Sequence, residues 1–287
     1  MRVSTFQNAS WAKNQLMDLN VQQQYHRNQV TSGKKNLLMS EDPLAASKSF
    51  AIQHSLANME QMQKDLADSK NVLTQTENTL QGIFKSLTRA DQLTVQALNE
   101  PNGEKELKAI GAEIDQILKQ VVYLANTKEQ GRYIFGGDSA EKQPFTEDGT
   151  YQGGKNDVNW QLNDGYELKA FRNGEALLSP VIKTLKQMSE AMQKGDQKAL
   201  QPLSGENKKN LDGIINRTTE VGSTMNTMET FKTILSEQNL ALQENRKEIE
   251  DVDLAVAISD LAYINATYEA TLKAVSTMSK TSILDYM

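Results

Sequence analysis

Apolar residues recur every seven positions in two stretches that lie far apart in the chain. Ile52, Met59, Leu66, Leu73, Leu80 and Leu87 form the first series; Met228, Leu235, Leu242, Ile249, Val256 and Tyr263 form the second. A helix turns once per about 3.6 residues, so a strict seven-residue repeat keeps one seam on one side and calls for a long partner helix. Two such rods around a Gly-rich middle predict a folded-back pair. A third periodic run, Leu107, Ile110, Ile114, Ile117, Val121 and Leu124, alternates steps of three and four and predicts another helix.

Gly and Pro mark the boundaries. Eight of the sixteen glycines lie between Gly131 and Gly174, whereas Ser223 to Met287 contains neither Gly nor Pro and can be helical throughout, subject to breaks set by packing. Residues 8–30 read as a weak first helix, with Leu16, Leu19 and Val30 on a face interrupted by Gln23 and His26. Gly33 fits a left-handed C-cap, with Lys34 and Lys35 beside the negative helix end. Pro43 suits the first turn of the next helix and Asp42 its cap. That helix runs from about Leu44 to Ala97 and would span on the order of 80 Å. The sequence Asn99 to Gly103 is a turn. Between Gly131 and Arg172, alternation in Val158–Leu162 and Tyr166–Ala170 predicts short strands that lean on the helices beneath. Helix resumes over 177–194, with a short stretch at 196–203 and a long helix from Asn207.

The final helix carries Leu254, Ile258, Leu261, Tyr268, Leu272 and Val275 on a face distinct from Val256 and Tyr263. A helix apolar on more than one face needs more than one neighbour. Five segments follow: an N-terminal assembly helix and linker (1–43), two halves of a helical rod (44–130 and 179–250), a small β-rich domain (131–178) and a C-terminal assembly helix (251–287). The fold class is mainly α, a long antiparallel helical bundle or coiled coil of N- and C-terminal segments with a small central β domain.

Composition supports an elongated protein. Only 38% of the 287 residues are hydrophobic and the mean hydropathy is -0.58, lean for one compact sphere but normal where each helix buries only a stripe. The net charge of -6 argues against general nucleic-acid binding. Charge is uneven: residues 1–50 hold six bases and three acids, net +3, and residues 244–287 hold eight acids and four bases, net -4. Scatter over solvated faces accounts for this; mutual attraction of the two ends, or of neighbouring copies, is the functional alternative. The absence of cysteine excludes disulfides and thiol catalysis. No apolar run approaches a membrane span, and the first fifteen residues lack the apolar core of a signal peptide.

Catalytic chemistry finds no support. Gly149 to Lys155 has the spacing of a phosphate-binding loop, but Asn156 stands where Ser or Thr would hold magnesium, and no strand precedes or helix follows it. A β-turn is the simpler reading. His26 and His54 are the only histidines, and neither has a second His or an acid at ligand spacing. Glu248, Glu250, Asp251 and Asp253 cluster without the Gly of a calcium loop. No metal, cofactor or catalytic residue is nominated.

The ends resemble the bacterial flagellin family. Met1-Arg-Val-Ser-Thr-Phe-Gln7, Gln29 to Asn36 and Ser40-Glu-Asp-Pro-Leu-Ala-Ala-Ser47 are similar to its N-terminal domain. Asp251 to Ala257, Tyr268 to Leu272 and Ser282 to Met287 are similar to its C-terminal domain. The opening residues and Asn126 to Phe135 resemble the family's hook-associated junction proteins more than its filament flagellins. One departure is conservative: Glu41 replaces the first Asp of the usual Asp-Asp-Pro motif. The resemblance implies a non-enzymatic structural protein of the bacterial flagellum, extracellular and exported without a cleaved signal peptide through the flagellar type III apparatus. It would join the hook, through another hook-associated protein, to the flagellin filament, and self-assemble into a ring through its terminal helices. A cytoplasmic export chaperone would cover the C-terminal helix; no nucleic acid, membrane or cofactor is implied. Leu16, Leu19, Val30, Leu254, Ile258, Leu261, Leu272 and Leu284 become candidates for the assembly interface, and Ser32, Gly33, Asp42 and Pro43 for the linker. A minor flagellin and a secreted coiled-coil effector or scaffold are the alternatives.

Overall fold

The structure, a computed structural model, describes residues 2–99, 103–163 and 166–284. Its elements are α1 (Arg2–Ser32), α2 (Pro43–Asn99), α3 (Glu104–Ala125), β1 (Lys128–Glu129), β2 (Arg132–Tyr133), β3 (Val158–Asn163), β4 (Tyr166–Phe171), α4 (Glu175–Lys194), α5 (Gln197–Glu250) and α6 (Leu254–Leu284). The chain packs as two compact units, residues 1–59 with 237–287 and residues 60–236.

In the second unit α2, α3, α4 and α5 form a four-helix bundle. α2 and α5 run antiparallel: Gln197 Nε2 donates to Ala97 O (3.1 Å), Asn207 Nδ2 to Leu87 O (3.2 Å), and Lys70 pairs with Glu229 (3.0 Å). Leu66, Leu73, Leu80 and Leu87 of the first heptad series are buried, as are Met228 and Leu235 of the second. The run Leu107, Ile110, Ile114, Ile117 and Val121 is buried on α3. There Gly111 lets α4 approach closely, since a Cβ at that position would lie 3.2 Å from Met192 Cβ. Ser189 closes this contact by donating to Asp115 Oδ1 (2.6 Å).

One long helix stands where the sequence predicts a short stretch at 196–203 and a new helix from Asn207. α5 runs unbroken through Pro202, which lies early in the helix, where a missing N–H removes a single bond. Asp196 Oδ1 caps its start by accepting from Ala199 N (3.2 Å). The turn at Asn99–Gly103 falls largely outside the described residues.

The β part is two small antiparallel pairs, β1–β2 and β3–β4. Val158 pairs with Phe171 and Trp160 with Leu168, with irregularities that bend the second pair. Asn126, at the end of α3, holds the loop between the pairs: its Nδ2 donates to Phe145 O (2.9 Å) and its Oδ1 accepts from Phe145 N (3.0 Å). Phe145 is buried beneath, edge-on to Tyr151 at 5.1 Å. Gly137 adopts φ +57° with Asn156 O only 2.6 Å from where a Cβ would sit, so no other residue fits there. The pseudo-phosphate loop lies in this region. Gly149 N bonds Thr146 O (2.9 Å) in a turn, and Phe145 bridges Tyr151 across it.

Candidate assembly surface

The first unit is built around α1 and α6. Gln23 Nε2 donates to Asn265 Oδ1 (2.6 Å), and near the other end Lys34 bridges Asp251, so the two helices run antiparallel. The seam on α1 steps through Ala12, Leu16, Leu19, Gln23, His26 and Val30; that on α6 steps through Ala257, Leu261, Ile264, Tyr268, Thr271 and Val275. Both follow the four–three spacing of paired helices. The seam is thin. Ala12, Leu19, Ala257 and Ile264 are its buried apolar residues, and Gln23, His26 and Asn265 interrupt it with polar groups.

The second heptad series does not continue in phase into α6. Val256 and Tyr263 are 56% and 73% exposed, and their neighbours Ala257 and Ile264 take the buried positions. The cause is the break at Asp251–Asp253: α5 ends, Asp253 Oδ1 accepts from Ala255 N (2.9 Å), and α6 restarts one residue out of register. That break separates a helix the composition alone would allow to continue.

The eight assembly candidates therefore fall into two groups. Leu19 is buried, and Leu16, Val30 and Leu261 are half-buried, all four on the α1–α6 seam. Leu254, Ile258 and Leu272 are exposed, and the side chain of Leu284 lies outside the described residues. The pattern reading did not single out Trp11, Met17 and Val21 of α1, which are also exposed. Their irregular spacing among Asn and Gln residues gave no periodic signal.

The linker is ordered by charge and capping. Gly33, φ +69°, donates its N–H to Gln29 O (2.8 Å) and ends α1 in the left-handed conformation. Ser32 Oγ accepts from Lys34 N (3.2 Å). Pro43 opens α2, with Asp42 Oδ1 accepting from Ala45 N (2.9 Å). Glu41, the departure from the family motif, uses its longer side chain to accept both from Leu37 N (3.0 Å) and from Tyr25 Oη (3.0 Å). Burial first, then that carboxylate, pushes the Tyr25 hydroxyl above its ordinary pKa.

The lysines expected beside the α1 terminus do different work. Lys34 binds Glu250 and reaches Asp251 (3.4 Å), while Ser49 also donates to Glu250. Backbone bonds reinforce the junction: Lys35 N to Glu250 O (2.7 Å) and Val252 N to Gly33 O (2.9 Å). Hydrogen bonding from Lys34, then from Ser49, holds the Glu250 carboxyl below its ordinary range, and the bond to Glu250 raises Lys34. The opposite charges of the two ends meet here within one chain. Beside this clamp Leu37, Leu38, Met39, Phe50 and Ile249 line an open groove of about 230 Å³.

Among the described residues no group of three or more His, Asp and Glu could hold a metal, and no helix is long and apolar enough to cross a membrane. His26 stands edge-on to Tyr25 at 5.6 Å, and His54 lies near Asn58 on an exposed surface.

One unit is an antiparallel pair of terminal helices, and the other is a helical bundle that carries the small β pairs. The bacterial flagellin N-terminal helical region matches residues 3–140. The chain is 90% identical to the crystallised FlgL of Bacillus cereus, over 69% of this chain and 99% of that one, with a TM-score of 0.63. It is also 24% identical to flagellar hook-associated protein 3 of Escherichia coli (strain K12), over 89% of this chain and 90% of the relative. The flagellar junction protein FlgL of Legionella pneumophila shares the fold at 14% identity, over 70% of this chain and 100% of that one, with a TM-score of 0.58. The chain belongs to the flagellar hook-associated protein 3 (FlgL) family, and its role is a structural one in the flagellum.

Proposed function

We propose that this chain is the subunit that joins the hook, through another hook-associated protein, to the flagellin filament, and that it polymerises through α1 and α6. One observation carries the reading. The α1–α6 pair covers only a narrow seam and leaves Trp11, Val21, Val256, Ile258 and Tyr263 more than half exposed. Burial of each such side chain is worth about 1.5–3 kcal/mol. A ring of sister copies, with a neighbouring hook-associated protein on one side and flagellin on the other, supplies that cover. The role is non-enzymatic, consistent with relatives that are flagellar structural proteins. The subunit leaves the cell by flagellar export, its exposed α6 masked in the cytoplasm by an export chaperone.

Of the eight candidates, Leu254, Ile258 and Leu272 face neighbouring subunits, and Leu16, Leu19, Val30 and Leu261 hold the pair that presents them. Ser32, Gly33, Asp42 and Pro43 set the path of the linker. Deletion of the gene tests the reading: cells should make hooks without filaments and spill flagellin into the medium. Normal filaments after deletion would point instead to a minor flagellin or to a secreted scaffold.

A further inference from the structure

Where β4 meets the bundle, two arginines line one small, largely enclosed cavity. Arg172 follows β4 and Arg217 lies on α5, and Leu73, Phe135 and Val221 supply apolar walls. Both arginine side chains are largely buried, and their Nη1 atoms approach the same carboxylate oxygen, Glu220 Oε2, at 3.5 and 3.4 Å. Asp157 Oδ2 lies 3.9 Å from Arg172 Nη1, while its Oδ1 accepts from Asn173 N (2.8 Å). Each of these ion pairs is longer than a charge-assisted hydrogen bond, about 2.7–2.9 Å. Glu220 is also the more exposed partner, so water weakens its hold. Arg217 Nη1 is buried and has no hydrogen-bond acceptor among the described residues. A buried donor left in that state is costly, and an ion is one of the few things that relieves it. Burial first, then the like charge of Arg217, holds the Arg172 guanidinium below its ordinary pKa.

We propose that this cavity binds a single-atom anion, chloride in an ordinary medium, held by the guanidiniums of Arg172 and Arg217. Size selects the ion. The cavity measures about 10 Å³, room for one water-sized particle, so tetrahedral oxyanions do not fit. Charge selects it over water. A neutral occupant would leave two like charges side by side against apolar walls, where their repulsion is poorly screened. Thr76 and Thr224 also line the cavity, but their hydroxyls donate to Val72 O and Glu220 O (both 2.8 Å), so recognition falls to the arginines. The ion links α5, through Arg217, to the end of β4, through Arg172. The Arg172 backbone in turn donates to Ile134 O (3.3 Å) and accepts from Gly137 N (3.2 Å). Chloride therefore fastens the β part to the helices beneath it. The site is complete within one subunit and does not depend on assembly.

The test compares the full chain in sodium chloride, bromide, sulfate and gluconate at equal ionic strength, by hydrogen exchange at the Arg172 and Gly137 amides. Exchange should be about fivefold slower in chloride or bromide than in gluconate, whose anion is too large to enter, and the effect should saturate with concentration. Arg217→Gln should abolish the difference. Lys209→Gln, which removes an exposed cation of α5, should keep it. Should Arg217→Gln fail to fold, crystals of the natural chain grown in bromide decide the matter: an anomalous peak is expected within reach of both guanidiniums. Equal exchange in every salt would overturn the inference, as would a response kept by Arg217→Gln or lost in Lys209→Gln. A water between the arginines in bromide crystals, or bromide at the surface only, would overturn it as well. Protection by sulfate and not by chloride would reject the single-atom ion and the size argument with it.

Discussion

At the scale of single residues, two side chains hold this molecule's connections together across distance in sequence. Glu250 accepts from Lys34 and Ser49 and anchors the linker against the end of α5. Its depressed pKa means the native state favours the ionised form, so this contribution is present above the ordinary carboxylate value and lost as pH falls through the folded one. Glu250→Gln at pH 7 should weaken the clamp by about 1 kcal/mol, a discounted figure for a partly exposed pair. Roughly fivefold faster hydrogen exchange at the Lys35 and Val252 amides would report that loss. Unchanged exchange would mean the backbone bridge alone suffices. Asn126 is more costly to lose, because Asn126→Ala takes the acceptor from the N–H of buried Phe145 and leaves its C=O with the Gln143 Nε2 donor alone. Thermal unfolding of the bundle should register about 1–3 kcal/mol of destabilisation. The caps at Gly33 and Asp42 were readable in the sequence because their partners lie within four residues. Glu250 and its Lys34 partner are 216 residues apart, and no local pattern announces them.

At the scale of elements, the repeat reports helix and seam faithfully until something resets the phase. From Leu66 to Leu87 the heptad positions are buried without exception. Beyond Glu250 the same count selects Val256 and Tyr263, which face solvent, because the three-residue break before α6 moves the buried line to Ala257 and Ile264. Only the capping geometry of Asp253 reveals the shift, and Asp in a Gly- and Pro-free run gives that signal weakly. The β3–β4 pair was legible from alternation, whereas the two-residue β1–β2 pair and the attachment through Asn126 were not. The two α6 faces make separate predictions. Ile264→Ala removes a buried side chain from a thin seam and should cost the α1–α6 pair about 2 kcal/mol or more, seen as faster amide exchange along both helices. Tyr263→Ser, on the exposed side, should change exchange in the isolated subunit by less than about 0.5 kcal/mol. It should nevertheless reduce filament number in cells. A Tyr263 variant that loosens the isolated pair would place that residue in the seam.

At the scale of the whole molecule, the lean composition follows from where apolar groups are placed. The bundle of residues 60–236 concentrates them: fully buried Leu80, Ile83, Leu87, Ile114, Leu178 and Leu185 all belong to it. The unit formed by residues 1–59 and 237–287 has four buried apolar side chains among its described residues, against a longer series of exposed ones. A thin seam interrupted by Gln23, His26 and Asn265 cannot match the stability of a four-helix core. Opening of α1 from α6 in the isolated subunit should therefore precede unfolding of the bundle by several kcal/mol. Brief protease treatment, followed by mass measurement of the fragments, tests this. Early cuts should fall within residues 1–59 and 237–287 and leave the bundle intact, while protein in assembled flagella should resist at the same sites. Equal resistance of both units in the free subunit would mean that the terminal pair is already complete, leaving its exposed apolar sides without an assembly role. Cleavage in the bundle first would invert the hierarchy of stability argued from burial. Early trimming of the free chain together with protection in the assembled state is the pattern expected if neighbouring subunits finish the fold of α1 and α6.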